Sequence, residues 1–183
     1  ETAVKEELAA NDNNVENENL ELKVEAGDER IPVLRPIENY FDRSRSAISL
    51  LGTFNVRDKD GNDITSNFTP RLKSLLVLLI LYTEKDEKGI LTRKVTDMLW
   101  SDKDEISARN NRNVTLRKLR VLLEEVGDVE VVSDGGFLKM QWKEKVFCDY
   151  RTALHCIELF QRNGSLKDDV FLNQILELLL CGP

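Results

Sequence analysis

Residues 106–126 read ISARNNRNVTLRKLRVLLEEV, and the reading of the whole chain turns on them. They form one long stretch without proline or glycine, closed by Gly127, which suits a helix with a glycine just past its end. Val114, Leu116, Leu119, Leu122 and Leu123 are taken as its core side. The polar remainder is unusually cationic. Arg109, Arg112, Arg117, Lys118 and Arg120 stand against only Glu124 and Glu125. Asn110, Asn113 and Thr115 lie among them. Arginine can hold a guanine edge with two hydrogen bonds and asparagine an adenine edge, while lysine and threonine suit phosphate or methyl contacts.

Outward from this helix the punctuation is regular. Upstream, LTRKVTDMLW (91–100) predicts a short helix with Thr92 as N-cap and Val95, Met98 and Leu99 on one face. Before it, Pro70 follows Thr69 at a helix start, and RLKSLLVLLILYTE (71–84) is apolar all round, as a central core helix should be. Gly89 ends that segment. AISLLGTFNVR (47–57) reads as a strand with Leu51, Phe54 and Val56 inward. Asp60-Gly61-Asn62 then turns the chain toward a short return strand from Ile64. Downstream, VEVV and FLKMQW alternate about the turn Asp134-Gly135-Gly136, and KVFCDY closes the unit.

The expected architecture is α+β. It is a winged helix-turn-helix over 47–148, with an N-terminal antiparallel strand hairpin and a C-terminal αα-hairpin. Residues 1–46 form an acidic lead-in. Residues 149–183 supply the αα-hairpin: a helix capped by Asp149 and running to about Asn163, then a second from Asp168 to about Leu180. One helical pair leaves apolar surface uncovered, and the chain starts with Glu1, so an excised piece of a longer protein is expected.

The stretches LLGTFNV, FTPRLKSLLVLLIL, ILTRKVTDMLW, SARNNRNVTLRKLRVLLE and GGFLKM resemble the OmpR/PhoB-type winged-helix effector domain over about residues 48–148. The variant most similar is that of the antibiotic-regulatory activators, which append a bacterial transcriptional-activation domain of helical repeats. Trp100 and the run Asn113 to Arg120 are the most specific matches. The resemblance implies a cytoplasmic, sequence-specific DNA-binding module of a bacterial transcription regulator. Helix 106–126 would enter the major groove, with wing 129–148 near the backbone. Arg112, Asn113 and Arg117 are the expected base readers; Arg109, Thr115, Lys118 and Arg120 are expected on phosphate, with Lys139 assisting from the wing. Double-stranded DNA, RNA polymerase and a head-to-tail second copy are the implied partners. The resemblance extends to large bacterial sensors, so the full-length protein is expected to be larger and membrane-tethered.

Composition bears on the rivals. The 183 residues carry a formal charge of −7. Residues 1–49 hold six basic and twelve acidic side chains, so the acidity is concentrated away from helix 106–126. Screening over roughly 8 Å lets a distant acidic segment leave a basic helix effective. Cys148, Cys156 and Cys181 are odd in number without a C-x-x-C pair, which argues against a disulfide framework and fits a reducing compartment. His155 is the only histidine, which removes multi-histidine metal sites. Asp58, Asp60, Asn62 and Asp63 imitate a calcium loop, but Thr69 stands where its distal glutamate belongs, so a turn is the better reading. No nucleophile and base pair at catalytic spacing, so neither an enzyme nor a cofactor is expected. The longest apolar run, Leu75 to Tyr82, is eight residues, and no membrane contact is expected within this chain. The alternative class is a protein-interaction module using the winged helix as scaffold and the αα-hairpin as binding surface.

Overall fold

A computed structural model describes residues 46–143 and 146–163, together with Leu176. The chain divides into units of residues 1–34 and 35–183, and the described residues belong to the second. The acidic lead-in expected over 1–46 and the second C-terminal helix expected over 168–180 lie outside the described residues, Ser46 and Leu176 excepted.

The protein is α+β. Its elements run β1 (Ala47–Ser49), β2 (Asn55–Arg57), a 3-10 turn (Thr65–Asn67), α1 (Pro70–Lys85), β3 (Ile90–Leu91), α2 (Thr92–Leu99), α3 (Glu105–Val126), β4 (Val129–Asp134), β5 (Phe137–Trp142), β6 (Phe147–Cys148) and α4 (Asp149–Asn163). Two three-stranded sheets result, ordered β2-β1-β6 and β3-β5-β4.

α1 is the axis of the core. Leu72, Leu75, Leu76, Leu78, Leu79 and Ile80 are buried on several sides of it, which is why its sequence has no polar face. Pro70 takes the first helical position, where a missing N–H costs nothing. Thr69 serves only through its carbonyl, which accepts from the Lys73 N–H at 2.9 Å; its hydroxyl caps nothing.

The segment expected as one strand over 47–57 is instead two. Gly52 adopts φ +78°, a turn residue's conformation, and folds β1 and β2 into their own antiparallel hairpin with Ala47 opposite Arg57. Val56 is fully buried, while Leu51 and Phe54 are only half-buried. The return strand from Ile64 shrinks to one bridge, Arg57 to Asp63, and the Ile64 N–H to Val56 carbonyl bond. The intervening turn is tied by Asp58, whose carboxylate accepts from the Asp60 and Asn62 N–H groups at 2.9 and 2.8 Å. Those oxygens hold the loop itself.

β6 does not extend the β4–β5 hairpin. It pairs in parallel with β1, Ala47 opposite Phe147. The start of α4 is fixed at the same place. The Asp149 carboxylate, 5% exposed, accepts from the Leu50 N–H at 2.8 Å, the Leu51 N–H at 2.9 Å and the Tyr150 N–H at 2.6 Å.

β4 and β5 form the hairpin read from the sequence, closed by Gly135 and Gly136, both with positive φ as a two-residue turn requires. Val129, Val131, Leu138 and Met140 face the core. β3 adds a third strand with Ile90 opposite Leu138.

Candidate nucleic-acid interface

α3 is built to be rigid and directional. Asp104 caps it, accepting from the Ser107 N–H at 3.0 Å, and hydrogen bonding from the Ser107 side chain, then from its N–H, holds the exposed carboxyl below its usual range. Gly127, at φ +72°, ends it and returns its N–H to the Leu123 carbonyl. Ala108, Leu116, Leu119, Leu123 and Val126 are the buried positions, packed on α1, α2 and β4.

At about 100° per residue these positions cluster on one side, and the opposite side is centred on Asn110, Val114, Arg117 and Val121. Val114, expected in the core, is 55% exposed on that outer face. It is out of phase with Leu116, Leu119 and Leu123, so its apolar character does not bury it. Leu122, by contrast, is half-buried and packs against the core.

The expected contact residues separate into groups. Arg109, Asn113, Arg117 and Lys118 are exposed, with Arg109, Asn113 and Arg117 along one edge of the outer face and Lys118 on its far flank. Among the described residues, Arg117 and Lys118 have no side-chain hydrogen bond or ion pair. Thr115 is half-buried and its hydroxyl donates back to the Asn111 carbonyl at 2.7 Å, which removes it from the outer face. Arg112 is braced: one terminal nitrogen donates to the Thr96 hydroxyl at 2.9 Å and the other to the Asn113 side-chain oxygen at 3.0 Å. Its burial, then the neighbouring charge of Arg109, lowers its pKa. Arg120 is braced as well, donating to the Val131 carbonyl at 3.2 Å and the Ser133 hydroxyl at 2.8 Å, so it ties α3 to β4. Lys139 is half-buried and its ammonium is directed at the Glu87 carbonyl, 3.4 Å away in the α1–β3 loop.

Two cations were not foreseen. A groove of about 650 Å³ runs between α2 and the start of α3, lined by Arg93, Lys103, Arg109 and Arg112 together with Thr96, Trp100 and the carboxylates of Asp97 and Glu105. Arg93 on α2 lies 3.9 Å from Asp97 and Lys103, in the link to α3, lies 3.3 Å from Asp102, so each has a carboxylate beside it. Trp100, 5% exposed, belongs to the core, and the Arg71 guanidinium lies 5.6 Å from its ring centre and donates to the Leu99 carbonyl.

α2 begins one residue earlier than the capping pattern suggests. Leu91 is the N-cap and Thr92 the first helical residue. The Thr92 N–H and hydroxyl both donate to the Gly136 carbonyl, at 2.9 and 2.7 Å. The hairpin tip is thereby fastened to the start of α2. Val95 is buried beneath, Leu99 is half-buried and Met98 is exposed, so the expected three-residue face is only partly inward.

Charge changes sign along α3. Its five cations lie between Arg109 and Arg120, after Asp104 and Glu105 at its start, whereas Glu124 and Glu125 join Asp58 and Asp60 around Val121 at the other end. An anionic ligand is therefore favoured along the middle of α3, from Arg109 to Arg120, and not at its acidic C-terminal end. Among the described residues, no three His, Cys, Asp or Glu side chains are placed to hold a metal ion. No helix among them is long and apolar enough to cross a membrane.

Neither the models of known protein families, nor curated proteins, nor solved structures give a significant match to this chain.

Proposed function

We propose that this chain is a sequence-specific, double-stranded DNA-binding module of the winged helix-turn-helix kind, with α3 as the reading helix. The observation that carries the proposal is the outer face of α3. Arg109, Asn110, Asn113 and Arg117 stand exposed on a 22-residue helix whose other side is locked into the core. Such a helix fits a major groove, and its arginine and asparagine donors suit base edges. α1 and α2 act as the frame, and β4–β5 corresponds to the wing. Asp134 and the fastened tip support a wing that leaves base reading to α3.

Roles follow from what each side chain already holds. Arg117 and Asn113 are the base readers of this reading. Arg109 and Lys118 supply positive charge for phosphates flanking the groove, whereas Arg93 and Lys103 are offset by Asp97 and Asp102. Arg112 and Arg120 position α3. A transcription regulator working in the cytoplasm, with RNA polymerase and a head-to-tail second copy as further partners, is the setting that accords with it.

The test is binding of the full chain to fluorescent duplexes at several salt concentrations. A steep linear fall of log affinity with log salt, and preference for one duplex over a scrambled one, is the expected result. The rival is a protein-docking module, favoured by an apolar depression of about 460 Å³ lined by Phe54, Val77, Leu78, Leu81 and Leu99. Binding to no duplex at low salt would give that reading precedence.

A further inference from the structure

We infer that Val114 is a specificity-determining residue of α3 that reads the 5-methyl group of a thymine. The inference rests on the DNA-binding reading above and goes beyond it by naming a base and an atom.

The argument begins with phase. Ala108, Leu116, Leu119, Leu123 and Val126 mark the buried side of α3. Val114 lies about 150° from the mean direction of those residues, so it points out between Asn110 and Lys118. There it exposes 55% of its surface. A β-branched residue in a helix gains nothing from propensity, and one exposed to water gains nothing from burial. Its branched methyl groups are the only exposed apolar surface of α3 among the cations from Arg109 to Arg120.

The other exposed apolar residues of this face are set apart by position and charge. Ile106, 73% exposed, lies in the first turn of α3. Val121, 51% exposed, sits beside Asp58, Asp60, Glu124 and Glu125, where phosphates are repelled. Val114 has the opposite surroundings, with Asn110 one turn before it and Arg117 and Lys118 one turn after it. In the major groove the only apolar group a base pair presents is the thymine methyl. An aliphatic side chain flanked by residues suited to adenine and guanine edges fits that group and no other feature of the groove.

The experiment starts with selection of a preferred duplex from a random pool by the full chain. Each thymine of that duplex is then replaced singly by uracil, which removes the methyl and leaves every hydrogen bond in place. Affinities are measured for the parent, Val114→Ala, Val114→Thr and Val121→Ala. The expected result is one position at which uracil weakens parental binding about 3- to 10-fold, the size of a single well-packed methyl contact. Val114→Ala should bind thymine and uracil duplexes alike. Val114→Thr, which keeps a methyl, and Val121→Ala, outside the contact, should retain the discrimination.

A selected duplex that tolerates uracil everywhere, or one whose uracil penalty persists in Val114→Ala, overturns the inference and leaves the DNA-binding reading standing. Failure to select any duplex overturns both. Circular dichroism of each variant distinguishes lost contact from lost fold.

Discussion

Replacing Gly89 by alanine should cost this fold far more than the same change at the hairpin tip. Gly89 has φ +79°, and an added Cβ would lie 2.3 Å from the Leu138 carbonyl oxygen and 2.7 Å from the Lys139 Cβ. Both neighbours belong to β5, the central strand of its sheet, so the obstacle cannot swing aside as the end of a side chain could. The left-handed conformation alone costs an alanine about 1–2 kcal/mol. Relieving the overlap means separating β3 from β5 at Ile90–Leu138, the pair beside it, and loses on the order of two hydrogen bonds at about 1 kcal/mol each. Gly89→Ala should thus lose about 3–4 kcal/mol. Gly135, at φ +53° with no atom within 4 Å of an added Cβ, should lose only about 1–2 kcal/mol from its conformation. For a body of this size, thermal midpoints should fall by about 4–8 °C per kcal/mol. Urea and thermal unfolding of the full chain, followed by circular dichroism, measure both variants. Equal losses at the two glycines would refute the claim that the β3–β5 approach is a steric limit.

Arg120 and Arg117 should behave oppositely. Arg120→Ala should lower stability by about 1–2 kcal/mol through its two bonds to β4, while Arg117→Ala should leave the urea midpoint unchanged and weaken the preferred duplex by about 1–3 kcal/mol. Asp149→Ala should lose about 2–4 kcal/mol by leaving the Leu50 and Leu51 N–H groups without their acceptor, measurable as a lower urea midpoint. Cys148, whose thiol burial pushes up to about 12, should react with a thiol reagent at neutral pH only as fast as the protein unfolds. Burial pushes the Asp149 carboxyl above its ordinary value despite the three N–H donors, so the native state binds its proton before the unfolded state does. The stability difference between the parent and Asp149→Asn should therefore shift in the parent's favour as pH falls from neutral through the raised native value, levelling below the unfolded value of about 3.9. A difference that is flat with pH, or that moves the other way, would contradict that burial effect.

Elements set by long periodic stretches were legible before any coordinates. α1, α3 and the β4–β5 hairpin appear within a residue or two of where their apolar patterns put them. Elements set by partners far away in the sequence were not. β3 and β6 are two residues each, too short to carry a period, and exist because Leu138 and Ile48 supply neighbours. The break at Gly52 depends on Asp149, 98 residues beyond Leu51, to accept the N–H groups freed there. Thr92 has the chemistry of a cap, yet the Gly136 carbonyl claims its hydroxyl. The same limit applied to the site. That α3 was cationic could be read directly, but which arginines were committed could not, because Thr96, Val131 and Ser133 are contributed by other elements. Val114 differs: its phase against Leu116 and Leu119 places it outside, although its residue type suits a core.

The parallel pairing of β1 with β6 has a mechanical consequence. Ala47 lies opposite Phe147, the Phe147 N–H donates to the Ser46 carbonyl, and Asp149 grips Leu50 and Leu51 at the far end. A pull on the chain before Ser46, opposed by one on α4, loads these two strands at opposite ends. Their bonds then share the load in shear instead of parting one after another. A tether on either flank would strain this clasp first, while the segment that presents α3, fastened to itself from Thr92 to Gly136, would stay outside the line of force.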